Sequence, residues 1–331
     1  MKYFVTGATG FIGGRVMRQL REAGHEVVAL VRNPEKARPL LDLGVSIARG
    51  DITDKQTLRD PMSGVDGVFH LAAWYKVGAK DRRNAERINV DGTRNVLEVM
   101  RDLDIPKGVY TSTLAVFGDT RGQVVDESYL FAGTHISEYD RTKWVAHYDV
   151  ALPMMAEGLP LVIVQPGLVY GPGDTSAVGR AFEQYLKGKL PMLPSAPAYC
   201  WGHVDDTARA HLLAMEQGRS GESYITCGPV HKLVDAFQIA ERITGIKAPA
   251  IHPGPGVLKV LSGIMGAVGT VVPLPEDYAA ETLRVMAGVT YLGNAGKAER
   301  EWGWKARPLE EGLRDTLGYL MDKLGITVRA A

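Results

Sequence analysis

Short apolar runs rich in β-branched residues alternate with helix-like patterns through the first half of the chain. The strand-like runs are Tyr3–Val5, Glu26–Val31, Val45–Ala48, Gly67–Leu71, Gly108–Thr111 and Pro160–Gln165. The helical spacing of apolar positions between them predicts helices at Phe11–Ala23, at Pro34–Leu43 and near 54–60, 84–102 and 137–157. Strands that alternate with helices in this way indicate βαβ units. We therefore expect an α/β fold built on a doubly wound parallel sheet.

The pattern becomes irregular after Pro166. Proline and glycine cluster at 166–173, 191–197 and 249–256, and the short helices between these clusters lack regular strand partners. We interpret residues 1–165 as the unit that carries the parallel sheet and residues 166–331 mainly as a smaller, loop-rich lobe. Segments near 203–227 are expected to return to the main sheet. A length of 331 residues is in keeping with two such units.

Composition and charge narrow the function classes. The 38 basic and 38 acidic side chains balance, which argues against a nucleic-acid binder because such a protein needs a basic face. Cys200 and Cys227 form no CxxC pair, so neither a disulfide framework nor a bound metal is expected. The longest uncharged run, 260–275, is too short for a membrane span. We expect a cytoplasmic protein, and 260–275 is interpreted as lobe core, as a lid over an apolar ligand or as a homodimer patch.

A glycine-rich turn joins the first strand to the first helix. Gly7, Gly10 and Gly13 have the GxxGxxG spacing that permits a tight turn, close approach of a pyrophosphate and close helix–strand packing. A pyrophosphate in this position would lie over the free amides of a helix N-terminus. Because the turn has a strand before it and an amphipathic helix after it, we interpret it as the dinucleotide-binding turn of a Rossmann fold.

The end of the second strand indicates which dinucleotide is bound. NAD enzymes place an acidic residue there to hold the ribose 2′-hydroxyl, whereas a cation accommodates the 2′-phosphate of NADP. This chain has Arg32 at that point, with Lys36 close behind. NADP is therefore the expected cofactor. The alternative is NAD, in which case Arg32 is simply a solvated strand end. Asp51, followed by Ile52, is a candidate for contact with the adenine or, alternatively, a cap for the helix near 54–60.

Tyr139 and Lys143 form a YxxxK pattern, which also occurs by chance at Tyr185/Lys189 and Tyr319/Lys323. The first pair alone follows the fifth strand and opens a helix, where the two side chains share one face. The Lys143 ammonium is expected to lower the pKa of the Tyr139 phenol, as a proton donor and acceptor near neutral pH requires. Upstream, the hydroxyls of Ser112 and Thr113 end the fifth strand and are candidates to stabilise a developing alkoxide.

These motifs, with further segments in the same order, resemble the extended branch of the short-chain dehydrogenase/reductase superfamily, which holds the NAD-dependent epimerase/dehydratase family. The matching segments are Thr6–Gly14, His70–Ala73, Asn89–Thr93, Thr111–Gly118, Tyr139–Lys143, 166–174, His203–Asp206 and Glu301–Trp304. The resemblance implies that Tyr139 is the general acid/base, that Lys143 binds the nicotinamide ribose and that Thr113 is the catalytic hydroxyl, with Ser112 as second choice. The other cofactor-binding residues expected are Gly7, Thr9, Gly10, Phe11, Ile12, Gly13, His70, Leu71, Ala72, Ala73, Pro166 and Val169.

Within this branch the sequence looks most like the dihydroflavonol-reductase-like group. That resemblance implies an NADP(H)-dependent reductase that transfers a hydride to the ketone or aldehyde of a small apolar or aromatic substrate. The aromatic side chains expected around the substrate are Trp74, Tyr75, Phe117, Tyr170, Tyr199 and Trp201. The alternative is a nucleotide-sugar epimerase or dehydratase with tightly bound NAD, which the segment 289–297 disfavours because it lacks the arginine that grips a diphosphate in those enzymes. A non-catalytic NADP sensor is a third interpretation.

Overall fold

The computed structural model describes residues 1–75, 82–268 and 280–327. Its strands are β1 Lys2–Thr6, β2 Glu26–Val31, β3 Ser46–Arg49, β4 Gly67–His70, β5 Gly108–Thr111, β6 Leu161–Pro166, β7 Leu168–Tyr170, β8 Ala198–His203, β9 Ser223–Thr226, β10 Val230–Lys232 and β11 Thr290–Tyr291. Seven of them form a parallel sheet in the order β3-β2-β1-β4-β5-β6-β9. The order 3-2-1-4-5-6 is that of a Rossmann fold. The predicted doubly wound α/β fold is confirmed.

Helices cover both faces of this sheet and build the lobe. They are α1 Phe11–Glu22, α2 Arg38–Leu41, α3 Gln56–Met62, α4 Arg82–Glu86, α5 Gly92–Asp102, α6 Glu138–Val145, α7 Leu152–Ala156, α8 Ala177–Leu186, α9 Val204–Gln217, α10 Leu233–Thr244, α11 Pro255–Val268, α12 Ala280–Met286, α13 Gly296–Trp302 and α14 Leu309–Leu324. A π-helical stretch, Arg87–Asp91, joins α4 to α5, and another, Ala146–Ala151, joins α6 to α7. Each predicted long helix is thus continuous but locally underwound.

The sheet is buried on both faces, as strands of a parallel sheet usually are. On one face β1 packs with α1 and α9 around Val16, Met17 and Leu213. On the other face the strands pack against α3, α5 and α7 around Met62 and Leu97. All six positions of β6 are buried, in agreement with its continuous apolar sequence.

The lobe has a smaller sheet and a core of its own. β8 pairs with β7, β10 and β11. Its side chains alternate, so that Cys200 points to the core under the main sheet while Trp201 joins Phe182 and Phe237 in the lobe core. After β8 the chain returns through α9, and β9 pairs with β6 at the edge of the main sheet.

The uncharged run falls partly on α11. Leu258 is buried against Leu283 of α12, whereas Val257, Val260 and Ile264 are exposed. The rest of the predicted 260–275 segment, from residue 269 onward, lies outside the described residues. Among the helices that the structure describes, none has the length and apolar character needed to cross a bilayer.

Candidate active site

The glycine turn has the geometry that a bound pyrophosphate requires. Gly7 has a φ of +72°, and a Cβ at this position would lie 2.7 Å from the Ala72 amide nitrogen. A Cβ on Gly13 would lie 2.1 Å from the Gly7 carbonyl oxygen. Gly10 is the N-cap of α1 and provides no side chain to cap the helix, which leaves the amides of the first turn available to an anion. The residues present therefore fit the phosphates of a dinucleotide.

A cleft of about 550 Å³ extends from this turn along the carboxyl ends of the strands. Among the predicted cofactor-binding residues, those that line it are Gly7, Thr9, Gly10, Phe11, Ile12, Gly13, Arg32, Asp51, Ile52, Leu71, Ala72, Ala73, Tyr139, Lys143, Pro166 and Val169. Lining residues that the sequence analysis did not single out include Gly167, Asp174, Thr175 and Ser176. The Lys36 side chain lies outside the described part of the chain. The cleft thus brings together residues from six strand ends.

Asp51 has local partners as well as a place in the cleft. Its Oδ1 accepts hydrogen bonds from the Thr53 amide at 2.9 Å and from the Thr53 hydroxyl at 3.0 Å. The carboxylate therefore stabilises the turn before α3, without being the N-cap of that helix, and it keeps Oδ2 for another partner.

His70 does not line the cleft, which corrects the expectation that it contacts the cofactor. Its ring is buried, with Nδ1 2.7 Å from the Thr6 hydroxyl and Nε2 3.0 Å from the Thr93 hydroxyl. The Thr6 hydroxyl in turn accepts from the Ala72 amide at 3.2 Å. Burial lowers the pKa of His70 to about 3, so the ring is neutral. His70 thus supports the cofactor-lining loop from beneath.

The first turn of α6 presents Tyr139 to the cleft. Ser137 is the N-cap, and its hydroxyl accepts from the Asp140 amide at 3.0 Å. The Tyr139 phenol and the Thr113 side chain line the same cleft and interact with each other. Burial raises the pKa of Tyr139 to about 12, Asp140 acts in the same direction and the interaction with Thr113 opposes both. Tyr139 therefore holds its proton at neutral pH.

Lys143 is bound beside Tyr139 by the end of β5. Its Nζ donates to the Thr111 carbonyl at 2.8 Å and to the Tyr110 hydroxyl at 3.0 Å. Burial lowers the pKa of Lys143 to about 7. The expectation that the Lys143 ammonium depresses the pKa of Tyr139 is not met in this structure, because burial of the phenol raises that pKa instead.

The two candidate hydroxyls of β5 have different partners. Ser112 Oγ lies 2.8 Å from His147 Nδ1 and is buried. Thr113 accepts from the Ala115 amide at 3.2 Å, lines the cleft and interacts with Tyr139. The geometry thus favours Thr113 over Ser112 as the hydroxyl next to the reacting atoms.

The aromatic residues predicted to surround the substrate separate into two groups. Trp74 and Tyr75 line the cleft. Phe117, Tyr170 and Trp201 are fully buried in the two cores, so the aromatic pocket expected from them is not formed by these side chains. Phe117 packs in the core under the main sheet, whereas Tyr170 and Trp201 supply large apolar side chains to the lobe core. Tyr199 is partly buried against that core and stands beside Tyr291 in the small sheet.

Three buried polar residues support the site and carried no predicted role. Asn89 accepts from the Trp74 amide at 2.7 Å and donates to the Trp74 carbonyl and the Thr142 hydroxyl, both at 2.9 Å. It therefore ties the cleft wall to α6. Tyr110 binds Lys143, and Asp140 follows Tyr139 on α6. The sequence gives no signal for these roles beyond the place of each residue in a matching motif.

Comparison with known proteins agrees with this geometry. Residues 3–227 match the NAD dependent epimerase/dehydratase family. A protein of Synechocystis sp. named putative dihydroflavonol 4-reductase is 35% identical over 97% of this chain and 94% of its own. The crystal structure of gox2253 has a TM-score of 0.84 and 30% identity over 98% of each chain. MoeE5, solved with UDP-glucuronic acid and NAD, has a TM-score of 0.77 and 24% identity over 98% of this chain and 100% of its own, a likeness of fold.

The motif-based resemblance is confirmed by these matches. The chain belongs to the NAD-dependent epimerase/dehydratase family, within the extended short-chain dehydrogenase/reductase superfamily.

Proposed function

We propose that this protein is an NADPH-dependent reductase of a ketone or aldehyde with an apolar or aromatic body. The observation that carries the proposal is that Tyr139, Lys143 and Thr113 line the dinucleotide cleft together, next to Trp74 and Tyr75. In this assignment residues 1–165 form mainly the NAD(P)-binding unit and residues 166–331 mainly the substrate-binding lobe.

The proposed chemistry needs one hydride and one proton. Reduced NADP supplies the hydride when it is bound. The Tyr139 phenol gives its proton to the carbonyl oxygen, and its high pKa keeps it in the protonated form that a donor requires. The Thr113 hydroxyl accepts from the Ala115 amide and so keeps its own proton to donate to the same oxygen. Lys143, whose Nζ donates to the Thr111 carbonyl at the end of β5, would bind the nicotinamide ribose.

The preference for NADP rests on the end of β2. Arg32 lines the cleft one residue after the strand, and Asn33 accepts from the Glu35 amide at 2.9 Å in the turn that follows. A guanidinium at this point suits a phosphate dianion, whereas an NAD site would place an acid there.

The preference for an uncharged substrate rests on the late segment of the lobe. Lys297, the cation of the stretch 289–297, donates to Glu222 Oε2 and to the Ser223 carbonyl, both at 2.7 Å, and lies over the Tyr224 ring. It is thus engaged at the edge of the main sheet and is not directed to a ligand. A desolvated diphosphate without a cation would be costly, which favours the reductase over a sugar-nucleotide enzyme.

A substrate panel tests the proposal. Aryl ketones, aldehydes and flavanonols are assayed with NADPH and with NADH by loss of absorbance at 340 nm, beside UDP-, GDP- and dTDP-sugars followed by product NMR. We expect NADPH consumption with at least one carbonyl class. Sugar-nucleotide turnover without net NADPH consumption, or NAD retained through purification, would replace the proposal with the epimerase alternative.

A further inference from the structure

Both neighbours of Tyr139 in the chain are bound by the lobe. The Tyr291 hydroxyl of β11 donates to Asp140 Oδ2 at 2.9 Å. On the other side, the Glu138 amide donates to the Glu281 carboxylate of α12. The turn of α6 that carries Tyr139 is thus held on both sides by one stretch of the lobe, 281–291.

The position of Tyr291 is itself fixed by the loop that follows β5. The preceding residue, Thr290, donates through its amide and its hydroxyl to Asp119 Oδ1, at 3.0 and 3.1 Å. The Thr290 carbonyl accepts from the Thr120 amide at 2.9 Å, and its hydroxyl accepts from the Gly122 amide at 2.8 Å. This loop begins a few residues after Thr113. The segment that carries Thr113 therefore also fixes the position of Tyr291.

Asp140 is a buried carboxylate with no cation at its side in the described structure. Its residue is 1% exposed, and the neighbouring Arg141 pairs with Glu86 and Glu138 instead. Burial raises the pKa of Asp140 to about 6, and Glu281 acts in the same direction. Hydrogen bonds from Tyr291 and Ser137 oppose this rise. Among the residues that the structure describes, Tyr139 on α6 and Tyr199 on β8 also act on Tyr291.

We propose that Asp140 and Tyr291 are positioning residues that control how readily Tyr139 gives up its proton. Tyr291 holds the Asp140 carboxylate one residue after Tyr139 on α6, where its negative charge raises the free energy of the tyrosinate. Protonation of Asp140 removes that charge and makes Tyr139 the stronger acid. The inference rests on the proposed function, since it requires Tyr139 to be the proton donor.

The test is the pH dependence of turnover between pH 5 and 8.5, with saturating NADPH and the carbonyl compound of the panel that is reduced fastest. As Asp140 ionises, wild-type kcat is expected to fall about three- to tenfold, the effect of one pKa unit or so on a general acid. Asp140→Asn removes the charge but keeps an acceptor oxygen, so its kcat should lack this fall. Burial also brings the pKa of Lys143 into this pH range. An inflection is therefore assigned to Asp140 only if it is absent from the profile of Asp140→Asn.

Tyr291→Phe is the second variant. It removes a donor from the carboxylate, which raises the pKa of Asp140, so the inflection should move to higher pH. Asp149→Asn is the matched control, because Asp149 is an exposed acid further along the same continuous helix, and its profile should equal that of the wild type.

Superimposable profiles of wild type and Asp140→Asn would overturn the inference. So would a uniform loss of activity at every pH in both variants, which is what a purely structural role would produce. If Tyr139→Phe were to retain turnover, the proposed function would fail as well. If Tyr139→Phe is inactive while the profiles superimpose, the inference about Asp140 fails alone.

Discussion

The buried Asp140 carboxylate also predicts a stability effect that needs no substrate. The native pKa of Asp140 is about 6, against a value of 3.8 when it is unperturbed. Between these values the native state binds more protons than the unfolded state, so the free energy of unfolding falls as pH rises. At neutral pH the protein therefore carries a destabilising charge that Asp140→Asn would remove.

The size of this effect follows from the two pKa values. A difference of about 2 pH units corresponds to about 3 kcal/mol of lost stability at pH 7.5, and to about 1 kcal/mol at pH 4.5, where the native carboxyl is mostly protonated. Rearranging the Tyr291 and Ser137 hydrogen bonds around an amide costs about 1 kcal/mol at either pH. Asp140→Asn should thus raise the free energy of unfolding by about 2 kcal/mol at pH 7.5 and leave it unchanged at pH 4.5.

Thermal unfolding followed by circular dichroism measures this difference. With an unfolding entropy of roughly 0.7 kcal/mol/K for a chain of this length, 2 kcal/mol raises the Tm by about 3 °C. The Tm of Asp140→Asn is compared with wild type at both pH values, beside Asp149→Asn, which should match wild type at each. If Asp140→Asn were less stable than wild type at pH 7.5, the reasoning would be refuted, because the ionised carboxylate would then not destabilise the native state.

Three further predictions concern the cleft. Tyr139→Phe should lower turnover about 10²–10⁴-fold with unchanged NADPH affinity. The control is Tyr319→Phe, whose exposed tyrosine belongs to a chance YxxxK pattern and which should keep full activity. Near-normal turnover of Tyr139→Phe would locate the proton donor elsewhere. Arg32→Ala should weaken NADPH binding by about 1.5–3 kcal/mol in a fluorescence titration and leave NADH binding unchanged. The control is Arg18→Ala, at an exposed arginine of α1. Equal losses for both cofactors would contradict a 2′-phosphate contact. Gly13→Ala, whose Cβ would lie 2.1 Å from the Gly7 carbonyl, should abolish binding of both cofactors, whereas Gly14→Ala, with its nearest neighbour at 4.0 Å, should bind normally.

The features that could be predicted from sequence are local. The glycine turn depends on three residues within one loop, and Tyr139 and Lys143 lie one helical turn apart. Strand order follows from the alternation of apolar runs and helices, because βαβ connections have few alternatives. All of these were recognisable without any knowledge of distant contacts.

What sequence could not show depends on side-chain direction and on contacts between distant segments. Asp140 and Tyr291 are 151 positions apart, and no pattern in either segment relates them. Tyr170 and Trp201 were expected in loops at the cleft, but they lie in β7 and β8, and the strand pleat turns them into the lobe core. The sequence predicted that Lys143 would lower the pKa of Tyr139, but it gave no sign that burial lowers the pKa of Lys143 itself, because the helix face shared with Tyr139 also packs on β5.

The place of β9 in the main sheet has a consequence for how the chain is made. β6 is buried at all six positions and pairs with β9 along its outer edge, yet β9 is synthesised only after β7, α8, β8 and α9. Until Ser223–Thr226 have left the ribosome, the nascent sheet ends in an apolar strand with unpaired amides and carbonyls, the kind of edge that promotes aggregation. The seven-stranded sheet is therefore complete only after the first part of the lobe sequence has been synthesised, and until then β6 is an edge strand.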